Sequence, residues 1–521
     1  MKQNLVKLSG LIACAVTIFG VAINADAAEL RIGLSKSISS VDPMFYVGGG
    51  NSALARSIFD SLVIQSESQT LIPGLAVSWR AIGDREWEFK LRPHVKFHDG
   101  SAFGAQDVAA SIRRVAQVSV GSPSSFLPYV KDIVGIDVID DLTIRFRTKA
   151  PAPLLPSNLS RISILPRADE SLRSSDLNEG RGVIGTGPFK FVEWRRDDAL
   201  VLQRNPDYWA GPAQWDKVTL RFMPTDGSRV AGFLGRDVDV IEDVPTPDVK
   251  RLQRDANVQL VTAPSNRVLY LHPDQDRLKS PFASAPDGTN PLRLLAVRRA
   301  MALAINKRAL IDRISDGQGV IADQLVPKGY FGWSPSVKAI PYDPDAARAL
   351  LKSVGLEGKM TLTFHASNDR YPNDAAIAQA LGQMWAKVGI RTQIVTLPGN
   401  VYFSRAAKRD FSLIMGGAAI ETGEASGVLG PLLATYGPDR GQGNRGRYAN
   451  PAFDRALNEA LVTIDTPKRE RLLQSAMEIG MNDLGVIPLF FLTNNWALRK
   501  GLTYVGRADG YTLPYYVRSS H

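Results

Sequence analysis

Apolar and polar positions alternate along this chain in short runs that trade between a period of two and a period near 3.6. Leu30–Leu34, Leu142–Phe146 and Val218–Phe222 alternate and predict strands. From Glu86 to Arg92, Trp87, Phe89 and Leu91 alternate with charged residues, the pattern of a half-buried strand. Val95 and Phe97 resume the alternation after Pro93-His94, and Asp99-Gly100 marks a turn. Val108, Ile112 and Val115 then share one face of a helix starting at Ala105. Helix–Gly–strand units follow. Asp343-Pro344 caps a helix that Gly355 stops, and Met360–Phe364 is the next strand. Ile377 to Val388, Gly389 and Ile390–Leu397 repeat the unit, and Asn450-Pro451 opens a helix running through Leu461. Leu292 to Ile314 reads as one long helix, and the Pro-, Asp- and Ser-rich stretch before it as a loop or domain junction. Such alternation predicts an α/β fold.

The N-terminus changes the picture first. Lys2 and Lys7 precede an apolar run, Leu8 to Ile23, and Ala25-Asp26-Ala27 is a small-x-small cleavage site. Residues 1–27 thus read as a secretory signal peptide, which places the mature protein outside the cytoplasm. The run is shorter than the roughly 20 residues a membrane span needs. Leu11-Ile12-Ala13-Cys14 resembles a lipobox, but the apolar run continues well past Cys14, which disfavours a lipoprotein. Cys14 is the single cysteine of the 521 residues, so cleavage after Ala27 removes thiol chemistry and disulfides altogether.

The formal net charge is +10, with the basic residues scattered rather than clustered. Scatter and an export signal argue against nucleic acid; a cleft suited to anions remains open. The five histidines form no metal-ligand spacing. Gly441 to Gly446 fits GxGxxG, but turn residues precede it where a dinucleotide loop needs a strand. No cofactor, no protein-ligated metal and no catalytic residue is expected.

Several ordered segments carry a family resemblance: Leu71 to Arg114, with LAVSW, WEFKLR, VKFHDG and QDVAASI in sequence; Gly185-Thr186-Gly187-Pro188-Phe189 with Asn205-Pro206-Asp207-Tyr208-Trp209; Leu292 to Ile314; and Tyr448 to Asp454 with Ile487-Pro488-Leu489. Together they resemble the family 5 extracellular solute-binding proteins, the periplasmic receptors of peptide and nickel ABC importers. His94 stands where family members usually have Gly. The resemblance implies a two-lobed periplasmic binding protein fold of type II, with an extra subdomain inserted in lobe I. Lobe I would comprise 28–267, with the insert at about 50–183, lobe II 268–487, and 488–521 would return to lobe I. Crossovers would lie near Pro264–Leu271 and Val486–Asn495. The implied protein is a monomer that delivers a peptide or related small polar solute to a membrane permease. A nickel-metallophore chelate or an opine is the alternative ligand on the same fold; a secreted hydrolase is the alternative of another class.

The resemblance also implies ligand-contacting positions. Peptide receptors of the family place an Asp after a DFDxxxxGW strand to bind the ligand's ammonium. Here the stretch starting at Asp410 has Ala418 in place of the Trp, and Glu421 falls near the Asp position. Arg161 lies where nickel-chelate receptors place a carboxylate-binding Arg. Asn444 and Arg445 precede the Tyr448 motif in a loop that faces the cleft in relatives. Tyr46 and Asn51 sit where relatives cover the ligand, and Phe126 is a candidate aromatic wall.

Overall fold

The computed structural model describes residues 28–120, 122 and 124–520. The signal peptide read at 1–27 lies outside the described residues. The chain is a mixed α/β protein organised around one 12-stranded sheet, with a separate four-stranded sheet near the N-terminus.

Two long strands, Val258–Pro273 and Ile487–Arg499, run antiparallel through the middle of the large sheet. Their register holds from Val258↔Arg499 to Pro264↔Thr493, breaks, and resumes at Val268↔Phe491. Pro264 has no N–H to offer, and Asn266 turns its backbone elsewhere: its N–H goes to the Ala508 carbonyl and its carbonyl accepts from Ile420. On one side of the break the sheet continues through Val240–Glu242, Glu29–Leu34, Lys217–Phe222 and Ala199–Arg204. On the other it continues through Leu413–Ala419 and Thr361–Ser367. The same pair of strands therefore serves two halves of the molecule.

Alternation along Val258–Pro273 explains how the second half packs. Leu269 and Leu271 enter one core with Phe364, Leu381 and Trp385, while Val268 and Tyr270 enter another with Leu429 and Leu473. Successive side chains point to opposite faces, so one strand supports a helical layer on each. In the first half, strands Ala76–Gly83, Glu86–Leu91, Thr143–Thr148 and Ile133–Asp140 form the small sheet. Its Phe89 and Phe146 share one continuous core with Leu30 and Leu200 of the large sheet.

Most expected elements form within a residue or two of their predicted ends. Helix Pro344–Ser353 is capped by Asp343, which accepts from the Ala346 N–H, and helix Pro451–Val462 by Asn450. Gly389, with φ of +88°, ends Asp374–Lys387. His94 has a φ of +61°, in the left-handed region that favours glycine. Two expectations fail. Val95 and Phe97 are buried but extend no strand; Lys96 makes only an isolated bridge with Ala102. The long helix from Leu292 to Ile314 is interrupted. Leu295–Leu303 ends, and the Asn306 side chain accepts from the Ala309 N–H to cap a new start. A short polar cap competes with helix continuation, and apolar periodicity does not register it.

Candidate functional site

The loop after strand Leu413–Ala419 is one place where the two halves meet. Ile420 exchanges hydrogen bonds with Asn266 beside the register break, which fixes Glu421 and Thr422 toward the N-terminal half. Gln65 Nε2 donates to the Glu421 carbonyl at 2.9 Å, and Ser157 Oγ donates to the Thr422 carbonyl at 3.1 Å. Arg161 Nη1 lies 2.5 Å from Glu421 Oε2, and its Nη2 donates to the Glu421 carbonyl. The Arg161 side chain is 6% exposed and that of Glu421 48%. The sequence suggests Glu421 for a cation and Arg161 for an anion; the structure pairs them with each other across 260 positions of chain.

The N-terminal wall is built behind Arg161. Helix Gly49–Ile58 carries Arg56, whose Nη1 has no hydrogen-bond partner among the described residues and lies 3.7 Å from Asp509 Oδ2. The Arg56 guanidinium also sits 5.1 Å from the Tyr511 ring centre, and burial holds its pKa below the ordinary value. Burial opposes the Asp509 charge too, but Arg507, 2.7 Å away, outweighs it and holds the carboxylate below its usual range. A small cavity lies between Arg56, Arg161, Phe126 and Tyr511, with about 20 Å3 open to the centre of a water-sized sphere. That is room for about one water molecule.

Phe126 is 3% exposed, packs on Tyr129 at 6.1 Å between ring centres, and lines that cavity rather than an open wall. Tyr46 is half-buried and bridges to Ser124. The segment before it is pinned by a fully buried pair, Arg114 Nη2 to Asp42 Oδ2 at 2.6 Å. Asn51 bonds to the neighbouring backbone. It is buried, donates to the Ser40 carbonyl at 2.8 Å and accepts from Ser39. Asn444 is fully buried, donates to the carbonyls of Ala434 and Tyr448, and accepts from the Tyr448 N–H. Both asparagines hold the folds of their own loops.

The C-terminal wall holds what sequence reasoning missed. Strand Leu413–Ala419 loses its outer neighbour after Ile414, which pairs with His365. Two tyrosines replace that neighbour. Tyr402 Oη accepts from the Met415 N–H at 2.9 Å and donates to its carbonyl at 3.0 Å. Tyr371 Oη accepts from the Gly417 N–H at 2.8 Å. Gly417 admits Tyr371 so closely that a Cβ there would meet its ring at 2.7 Å; a Cβ on Gly416 would likewise meet the Tyr270 hydroxyl at 2.7 Å. An extended peptide that added itself to this edge would find the groups of 415 and 417 already bonded.

Around these rings stand three arginines, Arg267, Arg370 and Arg445. None has a carboxylate within ion-pair distance or a guanidinium hydrogen bond among the described residues. Arg370 lies 5.3 Å from the Tyr371 ring centre and Arg445 5.6 Å from that of Phe403. Arg267 occupies the first strand position after the break at Asn266, opposite Ala419. Burial, with Arg370 adding to it, holds its pKa below the ordinary value. The signal in the sequence was a lone charge entering the apolar run Val268-Leu269-Tyr270-Leu271 directly after Pro264-Ser265-Asn266. His272 is buried; burial and then the Arg445 charge push it down to about 3, so it is neutral at pH 7. Among the described residues no three His, Cys, Asp or Glu side chains gather as metal ligands.

Comparison with known proteins agrees with this architecture. The model of the family "Bacterial extracellular solute-binding proteins, family 5 Middle" matches residues 70–439. Among curated relatives, the glutathione-binding protein GsiB of Pectobacterium atrosepticum is 29% identical over 482 residues, covering 90% of each chain. The dipeptide-binding protein of Escherichia coli is 28% identical over 514 residues, covering 92% of each. Among solved structures, HbpA2 from Haemophilus parasuis superposes with a TM-score of 0.80 at 22% identity, covering 94% of this chain and 99% of that one. The two-lobed architecture of periplasmic binding proteins is thereby shared.

Proposed function

The chain belongs to the bacterial extracellular solute-binding proteins, family 5, and from that premise we propose that it is the solute-capturing receptor of an ABC importer. It takes up a peptide or a related small polar solute in the periplasm and presents it to a membrane permease. In this reading, lobe I spans 28–267 and 488–521, with an insert at about 50–183, and lobe II spans 268–487. The hinge is the broken register between Pro264 and Val268, opposite Thr493 and Phe491. Closure about that hinge buries the solute between the Arg56–Arg161 wall and the Arg267–Arg445 wall. The receptor acts as a monomer and returns its solute unchanged; relatives named for binding glutathione and dipeptides support a carrier rather than a hydrolase. Residues 1–27 are the export signal.

The observation that carries this reading is the loop Ile420–Thr422, held by both halves beside the two strands that join them. A solute at that place touches both lobes and biases closure, which is how a receptor reports occupancy. The test is a thermal-shift panel on residues 28–521 with dipeptides, tripeptides, glutathione and nickel–histidine, followed by mass spectrometry of solute retained from the cell. Stabilisation scales as RT ln(1 + [L]/Kd), about 4 kcal/mol at a thousandfold excess over Kd. A saturable shift with a peptide supports the reading; shifts with no peptide in the panel sink its peptide part.

A further inference from the structure

We propose that the small cavity behind Arg161 is a binding site for one monatomic anion, chloride being the common one, held by Arg56 and Arg161 with the hydroxyls of Tyr511 and Ser163. The site lies within the N-terminal half and is separate from any solute in the cleft, so it does not depend on the receptor reading. The argument begins with an orphaned donor. Arg56 Nη2 donates to Gln65 Oε1 at 3.3 Å, but Nη1 is buried and makes no hydrogen bond among the described residues. Asp509 Oδ2 lies 3.7 Å from it, too far for one. The other orphaned guanidinium nitrogens among the described residues belong to Arg114, Arg298 and Arg409. Each of those is an Nε in a group that holds partners through Nη. An unmet N–H on a cation is costly in the interior, and a small anion relieves that cost.

The cavity supplies the place. Arg56, Arg161, Tyr511 and Ser163 all line it, and Phe59 and Phe126 give it an apolar side. Its room of about 20 Å3 takes one atom the size of a water or a chloride and is too small for a carboxylate or phosphate group. Donors crowd around that room. Tyr511 and Ser163 are buried, and neither hydroxyl has a hydrogen-bond partner among the described residues. Burial outweighs the two arginines and holds the Tyr511 phenol above its ordinary pKa, so it stays a neutral donor. Arg161 binds Glu421 through two of its N–H groups and keeps others to give. A water here would need acceptors for its own protons, and guanidiniums offer none; a halide only accepts. Charge points the same way. The three guanidiniums of Arg56, Arg161 and Arg507 are set against the two carboxylates of Glu421 and Asp509, which leaves one positive charge in excess. One chloride closes that balance and relieves the repulsion that Arg161 exerts on Arg56.

The test uses the mature chain, residues 28–521, dialysed free of halide. Melts are recorded in sodium chloride, sodium bromide and sodium gluconate at one ionic strength of about 0.15 M, so that general screening is constant. Gluconate is too large for the cavity. Chloride and bromide should each raise the melting temperature by about 2–4 °C over gluconate, and the rise should saturate with halide concentration. Arg56→Gln removes both the excess charge and the orphaned donor and should weaken the apparent halide affinity at least about tenfold. Tyr511→Phe keeps the ring and the charge and should weaken it about threefold or more. Melts of the variants in gluconate report folding; should Arg56→Gln not fold, Tyr511→Phe and Ser163→Ala carry the test. Crystals grown in bromide should show an anomalous peak between Arg56 and Arg161. Equal melting in the three salts, or a halide effect that survives the substitutions, would overturn the proposal. A bromide peak with no effect in solution marks an adventitious ion only and overturns it as well. A halide effect in a chain that binds no peptide supports this site while sinking the peptide reading.

Discussion

Glu421 and Glu424 lie three positions apart in one loop, each bonded to an arginine, and they behave as opposites. Glu424 is 8% exposed. Its Oε2 accepts from Arg469 Nη1 at 2.8 Å, and its Oε1 accepts from Arg469 Nη2 and from Ser426. Arg469 is itself buried, donates to the Ala460 carbonyl, and lies 5.2 Å from the Phe331 ring centre. Everything in that network belongs to the C-terminal half. Glu421 has a half-exposed carboxylate and a partner from the other half. The difference teaches that residue type does not separate scaffold from site. The Glu424 pair is buried on both sides and satisfied by third parties; the Glu421 pair keeps one member in water, where it can exchange partners.

Four measurements sharpen or break this contrast. Arg469→Ala strands a buried carboxylate and should cost about 3–5 kcal/mol in chemical denaturation; a loss under about 1 kcal/mol would erase the distinction. Acid comes next. His272 sits at about 3 and His98 and His365 at about 4, each lowered first by burial from an ordinary 6.5. Their folded-state pKa values lie below the unfolded one, so the unfolded chain binds more protons as pH falls through 6.5. Stability is therefore full above about 6.5 and drains below it, by about 2 kcal/mol for a fully buried histidine at pH 5. With His98 in the N-terminal half and His272 and His365 in the other, hydrogen exchange at pH 5 should loosen the C-terminal half more.

The rim pair gives a smaller, asymmetric effect. Glu421→Ala leaves the buried Arg161 guanidinium without its carboxylate, about 1–2 kcal/mol, whereas Arg161→Ala frees a carboxylate that already reaches water, under about 1 kcal/mol. Equal losses would mean that Glu421 is as much scaffold as Glu424. Smallest of all is salt. Raising ionic strength to about 1 M should weaken the Glu421–Arg161 coupling in a double-mutant cycle by a few tenths of a kcal/mol and leave Glu424–Arg469 unchanged.

The elements were largely legible in the sequence because period, caps and stop glycines are local properties. Asp343, Asn450 and Gly389 each act on residues within one turn of themselves, so their reading transfers directly to the fold. The family was legible for another reason: its words occur in order along the chain. The site was read less well. Arg161 and Glu421 were both picked out, but nothing local says that residues 260 positions apart will neutralise each other. Asn51 and Asn444 look like ligand donors in sequence, and only the folded loops reveal that backbone groups consume them. Arg267 was passed over because a charge within a strand run reads as an exposed face, and the neighbouring register break depends on a strand more than two hundred residues away.

The placement of Ile487–Arg499 also has a consequence in time. It is among the last strands of the chain, yet it lies in the interior of the large sheet, bonded to Val258–Pro273 on one side and to Val240–Glu242 on the other. A polypeptide emerging N-terminus first has no neighbour for either edge until almost all of it has appeared. Both halves must wait for the same closing piece, so neither completes its sheet early.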